Sequence, residues 1–309
     1  MELAKVRSNP SKESAEQKPK DSKLSFFTKA PVKPEELDIP VFMAEDLMLR
    51  YLYTKGASSL RELSRSLKLS FPLLHTLFQS MRQQQLFEIT GMDGNDYLFT
   101  LSGIGREQAA KRFLICHYIG PAPVSVKAYT AAVRSQNIRP MINRPLLKMA
   151  LADLVVTDRF LDELGPAVIS QKSIFLYGPT GNGKTSVVRR LSRLHQDTIA
   201  IPYAVEVDGQ VIVLFDPAVH EIVEAPLSGL DQRWVVCRRP CIIVGGELEP
   251  SMLELQIEES SKVYAAPIQM RANNGILVID DFGRQIVSPM HLLNRWIVPL
   301  DRRVDYLTL

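Results

Sequence analysis

The chain has 309 residues, 46% apolar and 23% charged, with 37 basic and 34 acidic side chains for a formal net charge of +3. That composition excludes collagen-like, coiled-coil and wholly disordered chains, and the charge balance is too even to announce nucleic-acid binding. No apolar run nears the roughly 18 residues that span a bilayer, the start Met1-Glu2-Leu3-Ala4-Lys5 has no apolar signal core, and the three cysteines Cys116, Cys237 and Cys241 close no disulfide framework, so a cytoplasmic protein of two domains is expected.

Residues 1–38 are rich in Ser, Lys, Glu and Pro and read as a disordered tail, its eight basic residues offset by seven acidic ones. Phe26-Phe27 is its one hydrophobic feature and reads as a local anchor. Order is expected from about Ile39. Leu47, Leu49, Tyr51 and Leu52 belong to a helix that stops at Gly56. Ser59-Leu60-Arg61-Glu62 is a capping box opening a helix that carries Leu60, Leu63 and Leu67. Ser70-Phe71-Pro72 starts a third, with Leu74, Leu77, Phe78 and Met81 on one face. Strand patterns at 86–90 and 97–101 flank a turn containing Asp93-Gly94, and a helix follows over 104–114.

This order over residues 39–119 resembles a small winged helix-turn-helix domain. The third helix offers His75, Gln79, Arg82 and Gln83, of which only Arg82 is basic, and residues 41–120 hold nine basic against seven acidic residues. Glu88, Asp93 and Asp96 fall on the wing and would repel phosphate. A protein partner is therefore favoured over DNA.

Residues 120–145 contain Pro121, Pro123, Pro140 and Pro145 and read as a linker with a short helix at 128–135. Beyond it, helix and strand patterns alternate over 146–309, the signature of an α/β sheet. Ser173-Ile174-Phe175-Leu176-Tyr177 is a buried-strand pattern. It runs into Gly178-Pro179-Thr180-Gly181-Asn182-Gly183-Lys184-Thr185, then Ser186 and a helical stretch. The string fits G-x-x-x-x-G-K-[ST] between a strand and a helix, the setting in which it cradles nucleotide phosphates. Its glycines let backbone N–H groups curl around phosphate oxygens. Lys184 is placed to neutralise the β- and γ-phosphates, and the Thr185 hydroxyl to ligate Mg²⁺.

A second apolar run, Ile276-Leu277-Val278-Ile279, ends in Asp280-Asp281. On a buried parallel strand these carboxylates would emerge at the ligand-bearing edge. Asp280 would then hold the Mg²⁺ shell beside Thr185, while Asp281 would orient or deprotonate the attacking water.

Together the two motifs resemble the AAA+ family of P-loop ATPases, over 151–309. The resemblance implies an AAA+-like parallel sheet, ATP and Mg²⁺ as ligands, a homo-oligomeric ring, and ATP hydrolysis that remodels or assembles a macromolecular partner recruited by the winged helix. Competing readings are an ATP-switched DNA-binding regulator and an assembly or chaperone module that hydrolyses slowly. Two features depart from the family: Asp281 stands where Glu is usual, and only 28 residues follow it. Pro289, Leu292, Leu293, Trp296, Ile297 and Leu300 fit one helix capped by Ser288, and 304–309 reads as a strand just beginning, so a fragment lacking sensor strand, arginine finger and lid is expected. Arg302 and Arg303 read as a solvated helix end.

Between the motifs, 203–207 and 211–215 flank Asp208-Gly209-Gln210 and read as an inserted hairpin, either a substrate loop or a surface elaboration. Cys237 and Cys241 read as free structural thiols. Cys116-His117 lacks a third catalytic partner, the five histidines show no metal spacing, and Glu247 and Glu249 read as loop residues.

Overall fold

The computed structural model describes residues 29–137, 142–224 and 230–309 as a mixed α/β chain whose sheets combine parallel and antiparallel pairs. The tail residues 1–28, with Phe26-Phe27, and Pro140 lie outside the described residues. Residues 29–38 are ordered, earlier than the expected start. Lys29 bridges Leu230, Pro34–Glu36 forms a 3₁₀ turn, and the Ser70 hydroxyl donates to the Pro31 carbonyl.

The first helix, α1 (Val41–Lys55), buries Met43, Ala44, Leu47, Met48 and Leu52 and stops at Gly56, whose φ of 87° glycine adopts without a Cβ penalty. Strand β1 (Ser58–Ser59) leads into α2 (Leu60–Leu67), where the Ser59 hydroxyl accepts from Glu62 N at 3.3 Å. Only half of the capping box forms: the Glu62 carboxylate instead takes the Ser58 and Tyr51 hydroxyls at 2.8 and 3.2 Å. Helix α3 (Phe71–Gln83) and the antiparallel strands β2 (Phe87–Asp93) and β3 (Asp96–Leu101) follow, the sheet running β1-β3-β2. Helix α4 (Gly103–Ile115) closes this unit. Its Gly105 permits the contact, since a Cβ there would lie 2.0 Å from the Leu86 carbonyl oxygen. The core is Leu-rich and centred on Phe78 and Phe99, with ring centroids 4.5 Å apart. Asp96 does not face outward on the hairpin as expected. It is buried, and its Oδ2 accepts Arg61 N at 2.8 Å, satisfying a donor in the first turn of α2.

The expected linker is built into the second unit. Strand β4 (Val124–Ser125) joins its sheet, and α5 (Val126–Ser135), capped by the Ser125 hydroxyl on Ala128 N at 3.1 Å, buries Tyr129 and Ala132 against it. Helices α6 (Arg144–Ala150), α7 (Asp158–Ile169) and α8 (Lys184–Leu191) form a separate apolar cluster. Next come β5 (Thr198–Pro202), β6 (Ala204–Val207), β7 (Gln210–Val213), β8 (Trp234–Arg238), β9 (Cys241–Val244), β10 (Gln256–Glu258) and β11 (Val263–Ala265). Helix α9 (Ile268–Arg271), β12 (Ile276–Ile279) and α10 (Pro289–Arg302) complete the chain.

Five strands form a mixed sheet in the order β10-β11-β7-β6-β4, while β5 pairs antiparallel with β8 and β12 pairs parallel with β9. The hairpin β6–β7 is not a surface elaboration: it sits inside the five-stranded sheet with Ala204, Val205, Val211 and Ile212 buried. Two other strand expectations fail. Residues 173–177 carry no strand pairing, and Phe175 and Tyr177 are 70% and 85% exposed. Residues 304–309 form no strand; there Asp305 pairs with Arg295 at 2.6 Å. Strand β12 is half-buried along its length rather than covered on both faces.

Buried arginines tie the pieces together. Arg239 reaches Asp197 at 2.6 Å, the Asn274 carbonyl at 2.7 Å and the Gln136 carbonyl at 2.9 Å, linking the approaches to β5 and β12 and the end of α5. Arg233, 3% exposed, pairs with Asp231 (1% exposed) and with Asp38, both at 2.7 Å, and donates to the Pro123 carbonyl at 2.9 Å. Asp38 in turn accepts Ser125 N at 2.7 Å, so the segment before α1 is locked to the second sheet. Among the described residues, no helix is long and apolar enough to cross a membrane. Replacing Arg233 with Met strands the buried Asp231 carboxylate without its cation, and a loss of about 3–5 kcal/mol is expected. Urea unfolding followed by tryptophan fluorescence measures it, Trp234 being the adjacent residue.

Candidate functional site

The site is assembled from two segments far apart in sequence. The first is the loop into α8. Gly178, Gly181 and Gly183 hold φ of 143°, 83° and 72°, and at each the place a Cβ would occupy is open space. Gly183 is the residue capping α8, so the helix's unpaired N–H groups begin directly after the loop. Thr180 and Asn182 stand exposed on its crest. Lys184 folds back across the loop: its Nζ donates to the Gly178 and Pro179 carbonyls at 3.0 and 2.9 Å. The Ser186 carbonyl accepts from Arg190 Nη1 at 3.0 Å inside the helix.

The second segment is the end of β12. Asp280 N donates to the Val244 carbonyl at 2.8 Å, carrying the ladder with β9 one step past the strand. The Asp280 carboxylate then meets the loop, with Thr185 Oγ1 donating to Oδ2 at 2.8 Å while Oδ1 accepts Asp281 N at 3.0 Å. Both carboxylate oxygens are thus oriented, one toward α8 and one toward its own turn. Asp281 is exposed, with a φ of 51°. This left-handed conformation is better tolerated by Asp and Asn than by longer side chains.

Thr185 and Asp280 therefore come together, with Lys184 on the neighbouring loop and Asp281 one residue beyond. Among the described residues, no three His, Cys, Asp or Glu side chains are grouped to hold a metal ion. The hydroxyl–carboxylate pair is a set of hard oxygens, which suits Mg²⁺, a cation that keeps several waters and borrows further ligands from substrate phosphates.

Two supports carry no signal in the sequence. Asp153, between α6 and α7, takes Arg190 Nε at 2.9 and 3.0 Å and Arg193 Nη1 at 2.8 Å. Those two arginines hold its carboxyl well below the usual range, and together they fix the far end of the loop's helix. Gln285 is the other, buried beneath the acidic turn. Nothing local marks Asp153, whose partners lie 37 and 40 positions away, whereas the partners of Gln285 lie within five positions and it is its burial that the sequence does not announce.

The remaining candidates have structural roles. The Glu247 carboxylate accepts Gly245 N at 2.9 Å, and Glu249 accepts from the Ser251 hydroxyl at 3.3 Å. Burial pushes the Cys237 thiol up to about 12 and raises that of Cys241, so neither is an accessible thiolate. His117 lies flat against Phe113, with centroids 4.3 Å apart. His220 is buried, its Nδ1 accepting Asp216 N at 2.9 Å, and burial lowers its pKa from the ordinary value. Arg302 and Arg303 are exposed.

No family model matches the chain, and a search of curated proteins finds no match. The geometry of the site carries its own functional reading. If the loop needs its positive φ values, Gly183→Ala should destabilise the chain by about 1–3 kcal/mol. Gly103→Ala, at an unstrained and open position, should stay within about 0.5 kcal/mol. Paired urea titrations measure the difference.

Proposed function

We propose that this chain is an ATP-binding and ATP-hydrolysing protein of the AAA+ P-loop type. It uses turnover to remodel or assemble a macromolecular partner, and it works as a homo-oligomeric ring. The observation that carries the reading is the 2.8 Å bond between Thr185 Oγ1 and Asp280 Oδ2, which joins a glycine-rich loop at a helix start to the acidic end of a parallel strand. Chance Gly-rich turns and chance acidic strand ends have no reason to meet in this way.

In this reading the backbone N–H groups from Gly181 to Thr185 receive the phosphates, aided by the positive end of α8. Lys184 exchanges its two carbonyl partners for phosphate oxygens. Thr185 and Asp280 would hold Mg²⁺. When bound, Mg²⁺ neutralises charge on the β- and γ-phosphates. Asp281, exposed beside the site, orients or deprotonates the attacking water.

The N-terminal unit, read as a winged helix, recruits the partner. Its α3 surface offers His75 and Arg82 as exposed side chains with only Arg82 basic, and Glu88 and Asp93 remain exposed on the hairpin. That surface favours a protein over the phosphate backbone of DNA.

Lys184→Ala should abolish ATP binding and turnover, whereas Asp281→Asn, which tolerates the same left-handed backbone, should keep binding and lose hydrolysis by about 100-fold or more. Equilibrium ATP titration and phosphate release measure the two, and turnover in Lys184→Ala equal to wild type would overturn the assignment.

A further inference from the structure

Among the residues around the acidic turn, Gln285 is buried although it belongs to a short stretch of otherwise exposed neighbours, Phe282, Gly283, Arg284 and Ile286. A buried amide must have its donors and acceptor satisfied, and all of its partners here lie within the turn itself. Nε2 donates to the Asp280 carbonyl at 2.7 Å and to the Asp281 carbonyl at 3.1 Å, while Oε1 accepts Gly283 N at 2.8 Å. One side chain thereby ties together three consecutive corners of the backbone that carries both acids.

That backbone does not hold its own shape. Asp281 sits at φ 51° and Gly283 at φ 96°, two positive-φ residues within three positions. A residue with a Cβ occupies such a conformation only where its surroundings over-determine it. Arg284 N closes the turn onto the Asp281 carbonyl at 2.9 Å. Gln285 supplies the rest, and two positions on Val287 is buried in the cluster that includes Leu248 and Leu292.

We propose that Gln285 is a positioning residue for ATP hydrolysis: through the carbonyls of Asp280 and Asp281 it fixes the direction in which the Asp281 carboxylate leaves the turn. This rests on the ATPase reading of the site. Phosphate binding depends on the loop at 178–185, to which Gln285 makes no hydrogen bond among the described residues, so its loss should fall on turnover and not on affinity. A residue that merely stabilised the fold would lower both through the fraction of folded protein.

The test uses the full chain with Gln285→Met, close in volume but unable to replace either donor or acceptor, and Gln285→Glu, which keeps the acceptor for Gly283 N and loses both donors. Both should lower kcat by about 10- to 100-fold, with the Kd for Mg-ATP within about twofold of wild type, measured where the urea curve shows each variant fully folded. Hydrogen exchange on the nucleotide-free chain should rise in residues 281–285 and stay level in the loop at 178–185. Unchanged kcat in both variants, or unchanged exchange in 281–285, overturns the positioning role. A kcat loss matched by an equal loss of ATP affinity overturns it too. Wild-type chain without Lys184-dependent turnover overturns the ATPase reading itself. Exchange then still decides whether Gln285 holds the turn, so the two failures are told apart.

Discussion

The bond between Thr185 and Asp280 joins two parts of the molecule that otherwise have separate cores. Helix α8 packs with α6 and α7, whereas β12 packs with β9 and α10, and Ile276 is the apolar residue that passes from the strand to the helical cluster. A hydroxyl on an ionised carboxylate is worth about 1.5–3 kcal/mol when half-buried, comparable to one well-buried aliphatic side chain. It also sets direction, which apolar contact does not. Because the other oxygen of Asp280 accepts its neighbour's N–H, rotating the carboxylate to free Thr185 would also release Asp281. The start of the loop's helix and the geometry of the acidic turn are therefore set by one group.

What the sequence made legible is what short-range chemistry decides. The glycine-rich string, the apolar run ending in two acids, the Ser59 and Ser288 caps and the apolar faces of α2 and α3 each depend on residues a few positions apart. Pairing is different, since an apolar run states that it needs cover without stating what covers it. Residues 173–177 and β12 both read as short apolar runs, yet β12 lies along β9 and 173–177 has no ladder partner among the described residues. The prolines of the expected linker misled for a related reason. Pro123 removes a donor just ahead of β4, a position where a strand tolerates it, so the same residues that signal a connector also fit a short edge strand.

Charges were misplaced when their partners were distant. Asp96 reads as a wing carboxylate because it stands two positions from Gly94 in a turn, yet the strand it begins returns to the start of α2 and gives the carboxylate a backbone N–H. Asp38 reads as the last residue of a tail, while its partner Arg233 lies 195 positions away. Burial makes such pairs matter more than surface ones, because removing one member leaves a charge where water cannot reach it. The surface pairs, such as Lys111 with Glu107, carry no comparable penalty.

Lys184 shows how the same loop can be stable without a ligand and still favour one. Its ammonium is satisfied by two carbonyls of the loop, at 3.0 and 2.9 Å, so the charge does not stand bare beside the N–H groups of α8. A ligand must draw it off those carbonyls. The lysine's bonds to the carbonyls are already charge-assisted, so on the proposed reading the ligand gains by placing further phosphate oxygens on the loop's N–H groups at the same time. On the same reading, the three open, positive-φ glycines leave the space that the phosphates would fill.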